Sequence, residues 1–508
     1  MTRGPLVSTC RWIAVSALSA LCLWRSLDAF CAHLNADGVH SYVASWRSAA
    51  RNAPAGSIAL LGDGADRIAP LDRSRLIAIS WERAPDQLTL ADDNAEVGAV
   101  DSVLSSVWHS RSVGRMLEAQ GFTAASTNAH VKTWVRKGVG CSGQPQSPAE
   151  GVSQVRELLA LVLEAALVFA PLFLLFGRHG FCWWSLVVSF SIAVGLGWIA
   201  LSHPLLAPNG LGVYGGKAKL LYECGGIPES FLDSAGGMAL QPSYPPGLTL
   251  LAYLHFLLSG GCGDRLVQLV VVFALAALCL ALLRGASRPS CALPIVLFCV
   301  SPNAIRMASG FYAEPFVALL LVFGWRTMRN GRPFVGALVM GVAGLFRPEA
   351  GVAAALFAAC GSAFRGNSKL ALAVVVPALV PTVAWIATCR LLGYGGLADW
   401  NVMMMPRFGQ VAYGALAVLD ALWKQAIPVF ALLFLVRSDG IKVCYRDVVS
   451  SIVPVALLFI AIPLVCGFYD APYAKWMMDN TSPRLVWYLL AVPLFAAIGF
   501  PFAIRTRF

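Results

Sequence analysis

Charge is scarce in this sequence. Asp, Glu, Lys and Arg make up 13% of its 508 residues and hydrophobic residues 58%, whereas soluble domains carry about 25% charged residues. One water-soluble core cannot hide that much apolar surface, which excludes a soluble globular protein and points to a chain embedded mostly in lipid. No Walker A sequence is present, so a built-in ATP motor is disfavoured. In the 31–155 segment Gly62 and Gly64 do not make a GxGxxG, which leaves nucleotide binding there unsupported. The seven histidines are scattered without HExxH spacing, which argues against a zinc enzyme. The 14 cysteines contain no CxxC. Several of them (Cys279, Cys299, Cys360, Cys389) lie inside apolar runs, where cysteine acts as a small hydrophobe. There is no internal repeat or low-complexity tract, so the matching halves common in transporters are missing.

What the sequence does have is positive charge, a formal +11. In a soluble protein that would suggest nucleic acid. Here the Arg and Lys sit in short loops between apolar runs, which is how topology is signalled, and anionic lipid headgroups are the fitting partners. Apolar stretches near spanning length predict an all-α multi-pass membrane protein of about 12–13 transmembrane helices. Arg284 and Arg288, Arg326, Arg329 and Arg332, Arg365 and Lys369, Arg437, Lys442 and Arg446, and Arg505 and Arg507 mark cytoplasmic loops. With both termini inside, these alternate only if 247–259 is interfacial or re-entrant; the alternative is a true span there with another segment failing to cross. Arg3 and Arg11 before an apolar run to Leu23, without a clear A-x-A site, predict an uncleaved first helix.

Three regions follow: residues 1–30 as a first transmembrane helix, 31–155 as a small extracytoplasmic α/β insertion, and 156–508 as a transmembrane domain with outer loops 204–265, 391–423 and 469–483. Within the insertion, strands are expected at 57–62, 75–80 and 100–106, with a helix at 111–120 followed by FTAAST and HVKTWVR. It reads as a packing or acceptor-docking domain. Cys31 with Cys141, and Cys224 with Cys262, are candidate disulfides if their segments face an oxidising compartment.

Candidate chemistry gathers on the outer side. The loop 204–265 carries Lys217 and Lys219 beside Tyr214 and Tyr222, then Glu223, Glu229 and Asp233. Such a run can seat a phosphate and activate a hydroxyl, or it is a solvated, headgroup-facing loop. Glu314, in FYAEP, stands where a helix enters the membrane; an ionisable group there is a functional candidate or a helix N-terminal carboxylate. Arg347 and Glu349 interrupt an apolar hairpin at Pro348, as a structural pair or as the lining of a polar cavity. Arg484 precedes the last span, where its planar fork suits a phosphate or a headgroup anchor.

Five short stretches over roughly 181–500 resemble the GT-C class of integral-membrane glycosyltransferases, in particular relatives of the dolichyl-phosphate-mannose:protein mannosyltransferases. YGGKAKLLY (214–222) is similar to the second half of their WDAWxxWxxKAKxLY-like loop, and YPPG (244–247) to the turn after it. FYAEP resembles their YADLP, FRPEAG their K-N-E-G turn, and DNTSPRLVWYLLAVPLF their T-S-x-x-R-L segment. The resemblance implies inverting transfer of a sugar from a polyprenyl-phosphate donor to an acceptor hydroxyl outside the cytoplasmic (bacterial inner) membrane. It implies Glu314, Glu349 and, more weakly, Asp233 as catalytic carboxylates, and Lys217, Arg347, Arg484 and Tyr244 as donor contacts. No cofactor is certain; a divalent cation held by Glu314 and Asp233 stays open, without a metal signature. The acceptor is a glycan, a lipid or a protein. One departure matters: the family's first-loop Asp falls at Asn209, and Asn cannot serve as a general base. The rivals are a non-catalytic or degenerate scaffold of envelope polysaccharide assembly, and a transporter or lipid flippase.

Overall fold

In the computed structural model the described residues are 14–26, 28, 45–50, 53, 58–61, 88–91, 102–106, 111–120, 122–127, 131–136, 154–176, 183–202, 209–226, 241, 243–285, 292–364, 366–392, 407–436, 445–468 and 471–498. They belong to two compact units. The first comprises Met1–His33, Glu164–Ser202 and Leu269–Phe508, and the second Leu34–Leu163 and His203–Gln268.

In chain order the elements are α1 (Ala14–Ser26), β1 (Ile58–Leu61), β2 (Leu88–Ala91), β3 (Ser102–Ser106), α2 (Arg111–Ala119), β4 (Phe122–Thr127), β5 (Val131–Arg136), α3 (Gln154–Phe176) and α4 (Trp183–Ser202). A π-helix, Asn209–Gly216, runs into α5 (Lys217–Cys224), followed by α6 (Gly247–Ser259), α7 (Leu269–Gly285), α8 (Ala292–Cys299), α9 (Pro302–Gly310), α10 (Glu314–Arg329), α11 (Pro333–Gly341) and α12 (Pro348–Ala363). The last four are α13 (Ser368–Leu391), α14 (Phe408–Val436), α15 (Tyr445–Cys466) and α16 (Ala471–Ile498).

The first unit is helical. Six helices are long and apolar enough to cross a membrane, and α8 with α9, bent by 44°, makes a seventh if counted as one broken span. This fits a membrane-embedded protein; by length and composition the described residues reach six or seven spans, short of the expected 12–13. Two of the six are central. Leu266–Arg284 and Thr481–Ile498 are each 83% buried, against 28–39% for the other four. Helices apolar all round either sit inside a bundle or face lipid, and the outer ones present Trp198, Phe190 and Leu372 outward. Close crossings rest on glycine. Gly324 and Gly336 face each other across α10 and α11, where a Cβ on either would strike the other's carbonyl.

Two outer loops are shorter than expected. α14 already begins at Phe408 and α16 at Ala471, so parts of 391–423 and 469–483 are helix. Their polar residues are spaced along otherwise apolar turns, which obscures the helical pattern in sequence.

The second unit holds the predicted α/β insertion as a five-stranded sheet of order β2-β1-β3-β5-β4. β1 runs parallel to β2 and β3, while β5 runs antiparallel to β3 and β4, with an irregularity at Ala124/Ser126. Val103, Leu104, Leu117, Phe122 and Trp134 form its core. The strand at 88–91 was not anticipated, and the one expected at 75–80 lies outside the described residues. Arg47 binds Asp264 at 2.6 Å, tying the insertion to the end of the 203–268 segment. Cys224 and Cys262 are free thiols, which corrects the suggested bridge. Burial and the neighbouring Glu223 carboxylate push the Cys262 thiol up to about 12, so it is not a thiolate near neutral pH. Cys31 and Cys141 lie outside the described residues.

Candidate functional site

Four breaks in helical structure create the first cluster. Ser301 ends the α8–α9 bend and caps α9, accepting from the Ala304 N–H. Phe311 closes α9 in the left-handed region at φ 53°, and Glu314 then opens α10. Arg347 is extended at φ −150° and precedes Pro348, the first residue of α12. Proline suits a first helical turn because its missing N–H would have no helical partner there. Pro483, inside α16, stands directly before Arg484. These pieces are fastened together. Trp487 stacks on Phe298 at 4.7 Å and donates from Nε1 to the Phe298 carbonyl and to Ser301 Oγ. Asn303 Nδ2 donates to the Pro483 carbonyl at 3.2 Å.

The result brings four of the seven anticipated residues together. Glu314 is fully buried, and its Oε1 takes Arg347 Nη1 at 2.5 Å and Arg484 Nη1 at 3.0 Å. Arg347 Nε meets Glu349 Oε1 at 2.5 Å. The guanidinium of Arg484 lies 4.5 Å from the centroid of the Tyr312 ring. Glu314 Oε2 is buried with no hydrogen-bond partner among the described residues. Glu349 differs in access: its side chain is 33% exposed, against 0% for Glu314. Two residues of this neighbourhood escaped sequence reasoning. Tyr312 supplies the face for Arg484, and exposed Arg306 on α9 adds a third positive charge acting on Glu314. An aromatic and an arginine within eight residues before Glu314 were the available signals.

α13 supports the Arg347 turn from behind. Thr382 reaches between Gly344 and Gly351, and a Cβ on either glycine would collide with its hydroxyl. At the far end of α10, Arg329 forms an ion pair with Asp447 at the start of α15, and Arg284 acts electrostatically on Arg326. Three of the basic clusters read as cytoplasmic therefore share one end of this unit, opposite Glu314 along α10.

Lys217 and Tyr244 meet separately, in the second unit. Lys217 is 3% exposed, and its Nζ donates to the carbonyls of Tyr244 at 2.9 Å and Gln241 at 3.3 Å. Gln241 has φ 49°, and the Tyr244 N–H closes the turn onto its carbonyl. The Tyr244 ring packs edge-on against Tyr214, with Lys217 Nζ 5.9 Å from its centroid. Lys217 thus clasps the turn that leads into Pro245, Pro246 and α6. Asp233 lies outside the described residues. Two guanidiniums on Glu314 would repel a divalent cation, so this carboxylate does not fit the role of metal ligand. Among the described residues no group of three His, Cys, Asp or Glu side chains is placed to hold a metal.

Comparison with known protein families, with curated proteins and with solved structures finds no match for this chain.

Proposed function

We propose that this chain is an integral-membrane glycosyltransferase of GT-C-like architecture, moving a sugar from a polyprenyl-phosphate donor to an acceptor hydroxyl, with inversion, on the extracytoplasmic side of a bacterial inner membrane. The observation that carries the reading is the linking of Glu314, Arg347, Glu349 and Arg484, drawn from three separate stretches of chain, into one chain of ion pairs around the buried Glu314. Ionisable groups within a membrane bundle are costly and mark working sites. Carboxylates can take the acceptor's proton, and preorganised guanidiniums can stabilise the charge left on a departing lipid phosphate.

The topology supports this side for the site. The six long spans and the bent pair leave five further helices (α1, α3, α10, α11 and α12) to cross. If all twelve cross, with α6 outside the count, the basic clusters lie on one side and Glu314, Arg347 and Arg484 on the other, which the positive-inside rule reads as extracytoplasmic.

A specific observation favours a second reading, a degenerate enzyme acting as scaffold. Asn209, at the start of the π-helix, stands where the family's first-loop acid is expected. A transporter has no matching observation.

The test is turnover. Purified protein given radiolabelled polyprenyl-phosphate sugars should release sugar or pass it to an added acceptor. No turnover with any lipid donor supports the scaffold, and flux in proteoliposomes without turnover supports a transporter.

A further inference from the structure

The two carboxylates of the cluster differ in what can reach them. Glu314 is enclosed, with Oε1 engaged by both arginines and Oε2 buried. A base must come within about 3 Å of the hydroxyl it deprotonates, and no hydroxyl approaches Glu314 without displacing packed atoms. Glu349 lies in the first turn of α12, is one-third exposed, and touches Arg347 through one oxygen only. Arg347 links the two, using Nη1 for Glu314 and Nε for Glu349.

We infer that the two carboxylates have separate jobs: Glu349 is the catalytic base, and Glu314 is a positioning residue that acts through Arg347 and Arg484. This rests on the transferase reading above. In the transfer step the Glu349 carboxylate takes the acceptor's hydroxyl proton as the acceptor oxygen bonds to the anomeric carbon. The bond from that carbon to the phosphate oxygen breaks, and its electron pair leaves on the lipid phosphate. Glu314 touches none of these atoms. It holds two cations in fixed places, and through Arg347 it fixes one oxygen of Glu349, leaving the other for the acceptor.

The experiment has two arms on the full-length protein in detergent micelles. In the first, a hydrophobic carbodiimide is applied and modified peptides are quantified by mass spectrometry. Glu349 is expected to be labelled and Glu314 protected; equal labelling, or the reverse, overturns the assignment. In the second, turnover is followed across pH. Glu349→Gln should lower kcat by about 10² or more and abolish the acid limb of the pH–rate profile, with donor KM little changed. Glu314→Asp, which keeps the charge and avoids the folding risk of Glu314→Gln, should keep that limb and change mainly donor KM. A lost limb in Glu314→Asp with a kept limb in Glu349→Gln overturns the division. Failure of the wild type with every polyprenyl-phosphate donor overturns the transferase reading and the base role with it, while the labelling arm still decides whether Glu314 is the enclosed member of the pair.

Discussion

Two places in this molecule bury a cation that sequence reasoning assigned to a phosphate, and their partners differ. Arg347 and Arg484 meet side-chain carboxylates, whereas Lys217 meets main-chain carbonyls. A carbonyl-bound lysine closes a turn. Arginines sharing a buried carboxylate form a charged unit whose members depend on one another, and holding such a unit away from water is expensive without a purpose. The comparison teaches that burial of a cation is uninformative until its acceptors are known.

Three substitutions and one labelling experiment break or sharpen the contrast. Arg347→Met should have the largest effect, because it leaves Glu314 with one partner and Glu349 with none among the contacts seen. A loss of about 3–5 kcal/mol is expected for breaking a buried pair, read as a large drop in folded yield and unfolding midpoint. Gly351→Ala drives a methyl into Thr382 behind the same turn. Overpacking of this kind costs about 1–3 kcal/mol, and repair by Thr382→Ala in the same chain would show that the collision is the cause. Lys217→Met should cost about 1–3 kcal/mol through unsatisfied carbonyls. It should leave donor KM per folded molecule unchanged; a raised KM would return Lys217 to the phosphate site. The smallest effect is chemical. Maleimide at neutral pH should modify exposed Cys224 before the half-buried Cys262, whose thiol is held up to about 12, as peptide mapping would show.

The membrane character was legible because composition alone excludes a soluble core, and Arg284, Arg326 and Arg329, read as loop charges, meet at one end of the first unit. Glu314, Arg347, Glu349 and Arg484 were legible as charges interrupting apolar runs, a pattern that stands out where charge is rare. What the sequence withheld was pairing. Nothing in the spacing of Lys217 from Gln241 and Tyr244 says that the ammonium binds their carbonyls, since every residue offers a carbonyl. Glu314 and Glu349 look alike in sequence, and only packing shows that one is enclosed and the other one-third exposed. The strand at 88–91 was hidden because LTLA is too short and mixed to separate from loop. The start of α14 was missed because polar residues among its first turns resemble a loop.

The central claim is that these four charges act as one unit. A double-mutant cycle on Glu314→Leu and Arg484→Leu, measured by denaturant titration in mixed micelles, tests it most directly. The account predicts that the double variant is more stable than the sum of the single losses by more than about 1 kcal/mol, as expected of contacting partners. Additive losses would show that the two residues do not depend on each other and would contradict it.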